Sequence, residues 1–188
     1  MTIRFARPED AAGILDIYAP YIRETAITYE YEVPSLQDFT ARVEKIAARY
    51  PYLVCEEDGE ILGYAYASEY RTRAAFQWDT ELSIYLRQDL QGRGIGRMLY
   101  DRLLPMLTVQ GFQKAYASIS VPNPGSVAFH RAYGFREVAC FEHVGYKLGS
   151  WRDLLWMEKR LAPLADPPAL VRMLADCLPE FEKILSGC

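Results

Sequence analysis

The chain has 188 residues, 51% of them hydrophobic and 24% charged, with a formal net charge of −4 at pH 7. That length and composition suit one well-packed domain and exclude a disordered or low-complexity chain. The negative balance, with no stripe of Lys and Arg, speaks against a nucleic-acid binder, and the apolar runs are too short to cross a bilayer.

The N-terminus, MTIRFARPED, lacks the apolar core of a signal peptide, so the expected setting is the cytoplasm, away from any membrane. Cys55, Cys140, Cys177 and Cys188 are widely spaced and form no C-x-x-C pair; His130 and His143 belong to no ligand pattern. Reduced thiols and no metal are the expectation.

Strand and helix signals alternate along the chain. Residues 3–5 read as a short strand, and a helix follows Pro8 with Ile14, Ile17, Tyr18 and Tyr21 at helical spacing. Ser35 with Asp38 three residues on resembles a capping box, and Phe39, Val43 and Ile46 form one face of a second helix. Residues 52–56 and 60–68 are strand-like about an Asp58-Gly59 turn. In the strand at 78–86, Leu82, Ile84 and Leu86 alternate with Glu81, Ser83 and Tyr85. A helix then runs from the Gln91–Arg97 segment to about Gln110 and closes at Gly111; Pro105 inside it is expected to kink or shorten it. A strand at 115–120, a short helix at 126–133 stopped by Gly134, and strands near 137–144 and 153–159 complete a first unit, residues 1–162.

Residues 163–188 form an extension: a linker with Pro163, Pro167 and Pro168, then Leu170, Leu174, Cys177, Leu178, Phe181 and Leu185 on a helical stripe that Pro179 is expected to split. The apolar stripe needs cover, either from this domain or from a second copy.

Gln91-Gly92-Arg93-Gly94-Ile95-Gly96-Arg97 follows a strand and opens a helix. Alternate glycines permit positive φ and let a ligand approach main-chain N–H groups, and the first amides of a helix carry the positive end of its dipole. The spacing G-x-G-x-G departs from the dinucleotide fingerprint G-x-G-x-x-G, and Arg97-Met98 stands where an NTPase loop has its Lys and Ser or Thr. A diphosphate cradle is the functional reading; a plain glycine-rich turn is the other.

The order strand, Q-x-x-G-x-G, helix resembles the coenzyme A loop of the GNAT acetyltransferase superfamily. Downstream, Asn123, Ser126 and His130-Arg131-Ala132-Tyr133-Gly134-Phe135 are similar to its N-x-x-(A/S)…Y-x-x-x-G-F pattern, with His130 where many members have tyrosine. More narrowly, Arg71-Thr72-Arg73, Phe76, Trp78, Glu81, His130, Gly145-Tyr146-Lys147 and Trp151-x-Asp153 resemble the phosphinothricin and methionine sulfone (sulfoximine) acetyltransferase branch. The resemblance covers roughly residues 2–160 and leaves out the tail.

The resemblance implies an α/β (α+β) GNAT fold: a mixed, mostly antiparallel twisted sheet flanked by helices, splayed near the end of strand 78–86 where acetyl-CoA inserts. It implies acetyl-CoA as co-substrate and direct transfer to the amine of a small amino-acid-like molecule. Ile84, Tyr85 and Leu86 would serve the pantetheine arm, and Gln91, Gly92, Arg93, Gly94, Ile95, Gly96 and Arg97 the pyrophosphate. Asn123 would bond a pantetheine amide or the substrate, and Tyr133 would be a further contact. Glu81 would be the general base and His130 the acid for the leaving thiolate, with Tyr133 in reserve for the same proton. Arg71 and Arg73, with Ala74, Ala75, Phe76 and Gln77, would face the acceptor, since a guanidinium fork matches a carboxylate or phosphinate. A homodimer is expected. Another amine (a polyamine or a protein N-terminus) stays open, as does a non-catalytic acetyl-CoA-binding module that would need neither Glu81 nor His130.

Overall fold

The computed structural model describes residues 1–90 and 92–187. Among these, seven strands form: β1 (Thr2–Phe5), β2 (Tyr52–Glu57), β3 (Glu60–Glu69), β4 (Asp79–Leu86), β5 (Lys114–Val121), β6 (Arg136–Lys147) and β7 (Ser150–Arg160). They join in one sheet, ordered β1-β2-β3-β4-β5-β7-β6, in which only β4 and β5 pair in parallel. The helices are α1 (Ala11–Glu24), α2 (Leu36–Ala47), α3 (Ile95–Gln110), α4 (Pro124–Ala132) and α5 (Leu178–Ser186).

Strand periodicity of two sorts side chains to the two faces of the sheet. Leu53, Ala65, Leu82, Ala115, Ala117 and Ile119 lie in the core formed with α3 and α5. Tyr52, Val54 and Tyr64, with Tyr66 and Tyr85 at the margin, pack under α1 and α2. Tyr116, Ser118 and Ser120 alternate with the first set on β5, and Glu81, Ser83 and Tyr85 do so on β4, so a polar strip crosses the second face.

The parallel ladder is short: Asp79 to Lys114, Thr80 to Ala115 and Glu81 to Tyr116. From Leu82 onward β4 and β5 part, and the sheet opens as a wedge. The splay was expected near the strand's end; it begins in the middle. Each edge of the wedge presents backbone groups without a ladder partner, which need a partner from elsewhere.

Other expectations meet local physics. Ser35 Oγ accepts the Asp38 amide at 3.1 Å and caps α2. α3 is continuous from Ile95 to Gln110, so Pro105 neither ends nor shortens it. That residue lies on the exposed side of the helix, where water can serve the carbonyl left without a partner. β6 and β7 run longer than their patterns suggest and meet at Leu148 (φ 51°) and Gly149 (φ 76°), a turn whose twist matches a hairpin.

The sheet and α3 cover part of the tail's apolar face. Residues 163–173 are irregular, Leu174–Cys177 make a single 3-10 turn, and α5 follows with Pro179 in its first turn. Cys177 and Phe181 are fully buried, and the Phe181 ring lies 6.0 Å from that of Phe5. The Arg172 amide donates to the Gln110 carbonyl at 2.8 Å, and Trp78 Nε1 to that of Ala169 at 2.7 Å. Leu170 and Leu178 depart from the expected stripe: Leu170 is outside any helix, and both are exposed.

Candidate active site

The wedge holds two adjoining cavities. The inner one, about 210 Å³, is lined on β4 by Leu82 to Tyr85, on β5 by Ala117 to Ser120, and beyond them by Thr28, Tyr29, Asn123, Ser126, His130 and Leu154 among others. The outer one, about 300 Å³, reaches Leu86, Gly92, Gly96 and Phe129; the two share Ile27, Ile84, Tyr85, Asn123 and Ser126.

The outer cavity ends at the start of α3. Gly94 is the N-cap with φ 80° and ψ 3°, and Gly92 has φ 84°; a Cβ on either would meet nothing within 4 Å. Open space and left-handed backbone are what a ligand pressed against main-chain amides requires. The Met98 amide already bonds Gly94 O at 3.0 Å, while the amides of Ile95, Gly96 and Arg97 precede the first internal bond of the helix. Gly96 has another duty: a Cβ there would crowd the Phe129 ring at 3.3 Å, so glycine lets α4 close on α3. Arg93 meets Glu57 at 3.3 Å, and the Arg97 side chain is exposed. Gln91 lies outside the described residues.

Glu81 stands at the wedge's apex, the last residue of β4 paired on both sides, to Ser68 and to Tyr116. Ser118 Oγ donates to its Oε1. Burial raises the Glu81 carboxyl above its ordinary range, while the Ser118 hydrogen bond and the Arg71 charge pull it back. A carboxylate with a raised proton affinity suits a general base.

His130 is buried on the inner wall. Its Nδ1 lies 2.8 Å from the Ser126 carbonyl, which can only accept, so Nδ1 carries the proton. Nε2 then accepts the hydroxyl of buried Tyr100 at 3.0 Å. Desolvation lowers the His130 pKa and the Ser126 bond opposes it, so the ring is neutral at pH 7. Ser126, whose Oγ is 3.4 Å from Nδ1, lines both cavities, and His130 lines the inner one. Asn123 caps α4 by accepting the Ser126 amide at 3.1 Å and lines both cavities.

Other expected site residues lie further off. The Tyr133 hydroxyl donates to Asp101 at 2.7 Å, with the Arg97 carbonyl 3.1 Å away, on the seam between α3 and α4. Arg71 and Arg73 are exposed; the Arg71 guanidinium sits 5.1 Å over the Tyr70 ring, and Arg73 precedes a 3-10 turn of Ala74–Phe76 that leads through Gln77 into β4. Leu86 lines the outer cavity, but its carbonyl accepts the Tyr21 hydroxyl at 2.6 Å.

Several contributors are held by partners far along the chain. Tyr29 packs on Gly145, where a Cβ would run into its ring, and the Tyr31 hydroxyl donates to the Tyr146 carbonyl. Buried Lys147 donates to the Thr28 carbonyl at 2.6 Å, so the α1–α2 loop and the β6–β7 hairpin close together over the inner cavity. Ser118 and Tyr100 join the site only through pairings distant in sequence. Among the described residues no three His, Cys, Asp or Glu side chains cluster to hold a metal ion, and no helix is long and apolar enough to cross a membrane.

Comparison with known proteins agrees with this geometry. The model of the Acetyltransferase (GNAT) domain matches residues 3–156. A phosphinothricin N-acetyltransferase of Streptomyces viridochromogenes is 34% identical over 90% of this chain and 92% of its own. The L-amino acid N-acyltransferase MnaT of Escherichia coli is 35% identical over 90% and 99%. Among solved structures, a phosphinothricin acetyltransferase from Sinorhizobium meliloti in complex with acetyl-CoA superposes with a TM-score of 0.84 at 35% identity, covering 90% of this chain and 92% of its own. A putative acetyltransferase from Salmonella typhimurium with its cofactor acetyl-CoA gives 0.85 at 35% identity, over 90% and 98%. With its wedge-split sheet, its glycine loop on α3 and this likeness along nearly its whole length, the chain belongs to the GNAT acetyltransferase family.

Proposed function

We propose that the chain transfers the acetyl group of acetyl-CoA directly to the amine of a small, amino-acid-like molecule of the phosphinothricin, methionine sulfone or methionine sulfoximine type. The observation that carries this reading is a carboxylate of raised proton affinity at the apex of a wedge whose far end is a helix N-terminus with left-handed glycines.

Acetyl-CoA supplies the acetyl group as an activated thioester. Free edges of β4 and β5 suit a peptide-like arm, and the first amides of α3, with Gly92 and Gly94 before them, suit a pyrophosphate. Glu81 serves as the base that leaves the amine neutral for attack. His130, neutral with its Nδ1 proton held by the Ser126 carbonyl, lines the inner cavity beside Ser126, and the two face the leaving thiolate. Arg71 and Arg73 offer guanidinium groups to an anionic substituent of the acceptor, on the side from which Arg71 acts on Glu81. Relatives named for phosphinothricin and for methionine sulfoximine or sulfone support this acceptor class.

We place the enzyme in the cytoplasm, in keeping with the free thiols of Cys55, Cys140 and Cys177. We read it as a homodimer, because Val138, Phe141, Val144, Tyr146 and Trp151 leave an exposed apolar band along β6 and β7. A thiol-release assay with acetyl-CoA against amino-acid analogues and polyamines tests the function. Turnover is expected with methionine sulfone, methionine sulfoximine or phosphinothricin; faster turnover of spermidine than of all three would overturn the acceptor class.

A further inference from the structure

The inner cavity touches Ser118, whereas Glu81 is not among its described lining residues. Ser118 is half-buried on β5, two residues beyond the last rung that β5 shares with β4, and its side chain lies on the same face as Glu81. From there its hydroxyl donates to Glu81 Oε1. With its hydrogen committed to the carboxylate, Ser118 Oγ keeps its lone pairs for a donor arriving from the cavity. An ammonium group is such a donor. Leu82, Ala117 and Ile119 beside it offer no polar side-chain atom, and the charged or titratable groups acting on Glu81 from neighbouring elements are Arg71 and Tyr66. Arg71 is a permanent cation and Tyr66 a half-buried phenol, so neither accepts a proton from the substrate.

We propose that Ser118 is a catalytic residue of this enzyme: it accepts the proton of the acceptor's ammonium and passes its own to Glu81. The proposal rests on the acetyltransferase reading and on Glu81 as base. In the step, an N–H bond of the ammonium breaks as an O–H bond forms on Ser118 Oγ. The former Ser118 O–H bond breaks as one forms on Glu81 Oε1. The products are a neutral amine, an intact serine and a protonated Glu81; no oxidant, metal or further reactant takes part. Ser118 therefore fixes where the nitrogen lone pair is released, on the cavity side of β5, facing the mouth of the wedge.

Three substitutions isolate the hydroxyl. Ser118→Thr keeps it, Ser118→Val has the shape of threonine without it, and Ser118→Ala removes it with the least crowding. The Val and Ala variants are expected to lose roughly a hundredfold or more in kcat, within the span of general acid–base effects, with acetyl-CoA affinity retained. The Thr variant should recover most of that loss. Loss of the hydrogen bond that holds the Glu81 carboxyl down should move the acidic limb of kcat/KM to higher pH in Ala and Val and leave it in place in Thr.

In a Glu81→Gln background the Ser118→Ala change should cost little more, because the two groups act as one unit. Equal rates and equal pH limbs for Thr and Val would overturn the relay, since shape alone would then account for the site. If Glu81→Gln is slow while Ser118→Val and Ser118→Ala are both fast, the relay fails and the base stands. If Glu81→Gln is itself as fast as the parent enzyme, the fault lies in the underlying reading of the base.

Discussion

The coenzyme cradle can be tested at one backbone torsion. Gly94 sits at φ 80° and ψ 3°, yet a Cβ there meets no atom within 4 Å. Gly94→Ala therefore carries no internal clash. Its cost to the fold is the left-handed backbone alone, about 1–2 kcal/mol. For a chain of this length that lowers Tm by roughly 2–8 °C and leaves the protein folded. The effect on acetyl-CoA should be larger than that strain suggests. If the loop keeps its shape, the new methyl occupies the space through which a pyrophosphate reaches the α3 amides. If the loop relaxes, those amides turn away. Either way Kd should rise at least tenfold, about 1.4 kcal/mol. Gly59, in the β2–β3 turn, is the matched control, with φ 82° and equally open surroundings. Thermal melts and calorimetry on both Ala variants separate the effects: similar losses of Tm, but weakened binding only at Gly94. A folded Gly94→Ala protein that binds acetyl-CoA as the parent does would refute the cradle.

Two further outcomes follow from burial. His130 has a pKa below its ordinary value in the folded protein, so the unfolded chain binds the extra proton first. Stability should be complete above about pH 6.5 and fall as the pH drops toward the folded pKa; urea midpoints at pH 7.5 and 5.5 should show a smaller drop for His130→Gln, and equal drops would contradict it. Phe181→Ala empties a fully buried position under α3 and β1, at about 3–5 kcal/mol or roughly 6–20 °C in Tm; a change under about 1 kcal/mol would mean that α5 is not held on the domain as described.

Local chemistry made parts of this molecule legible from sequence. Ser35 and Asp38 announce the start of α2 because a cap is a contact three residues long. The loop from Gly92 to Arg97 is legible for the same reason: positive φ, helix start and flanking strand are all neighbours. What was misjudged depends on partners far along the chain. Pro105 looks like a break until the side of α3 on which it lies is known. Trp78, met in sequence only as part of the branch resemblance, donates to Ala169 and helps hold the tail. Lys147, met in sequence only within the Gly145-Tyr146-Lys147 match, is buried against Thr28, 119 residues away. Ser118 is unremarked in a strand of small residues until β5 is laid beside β4.

The depth of the splay is the case with most consequence. Strand alternation places Glu81 on the polar face of β4, but it does not say where β4 loses its neighbour. The register does: Glu81 is the last residue with a rung to β5, and Leu82 is the first without one. A base needs a fixed position, which ladder hydrogen bonds on both sides provide. A thioester-bearing arm needs backbone donors and acceptors not already used, which only an interrupted ladder provides. Both needs are met at one point of the strand. A splay begun at Leu86 would have left Glu81 enclosed between paired strands, with no opening through which Ser118 could face an incoming amine.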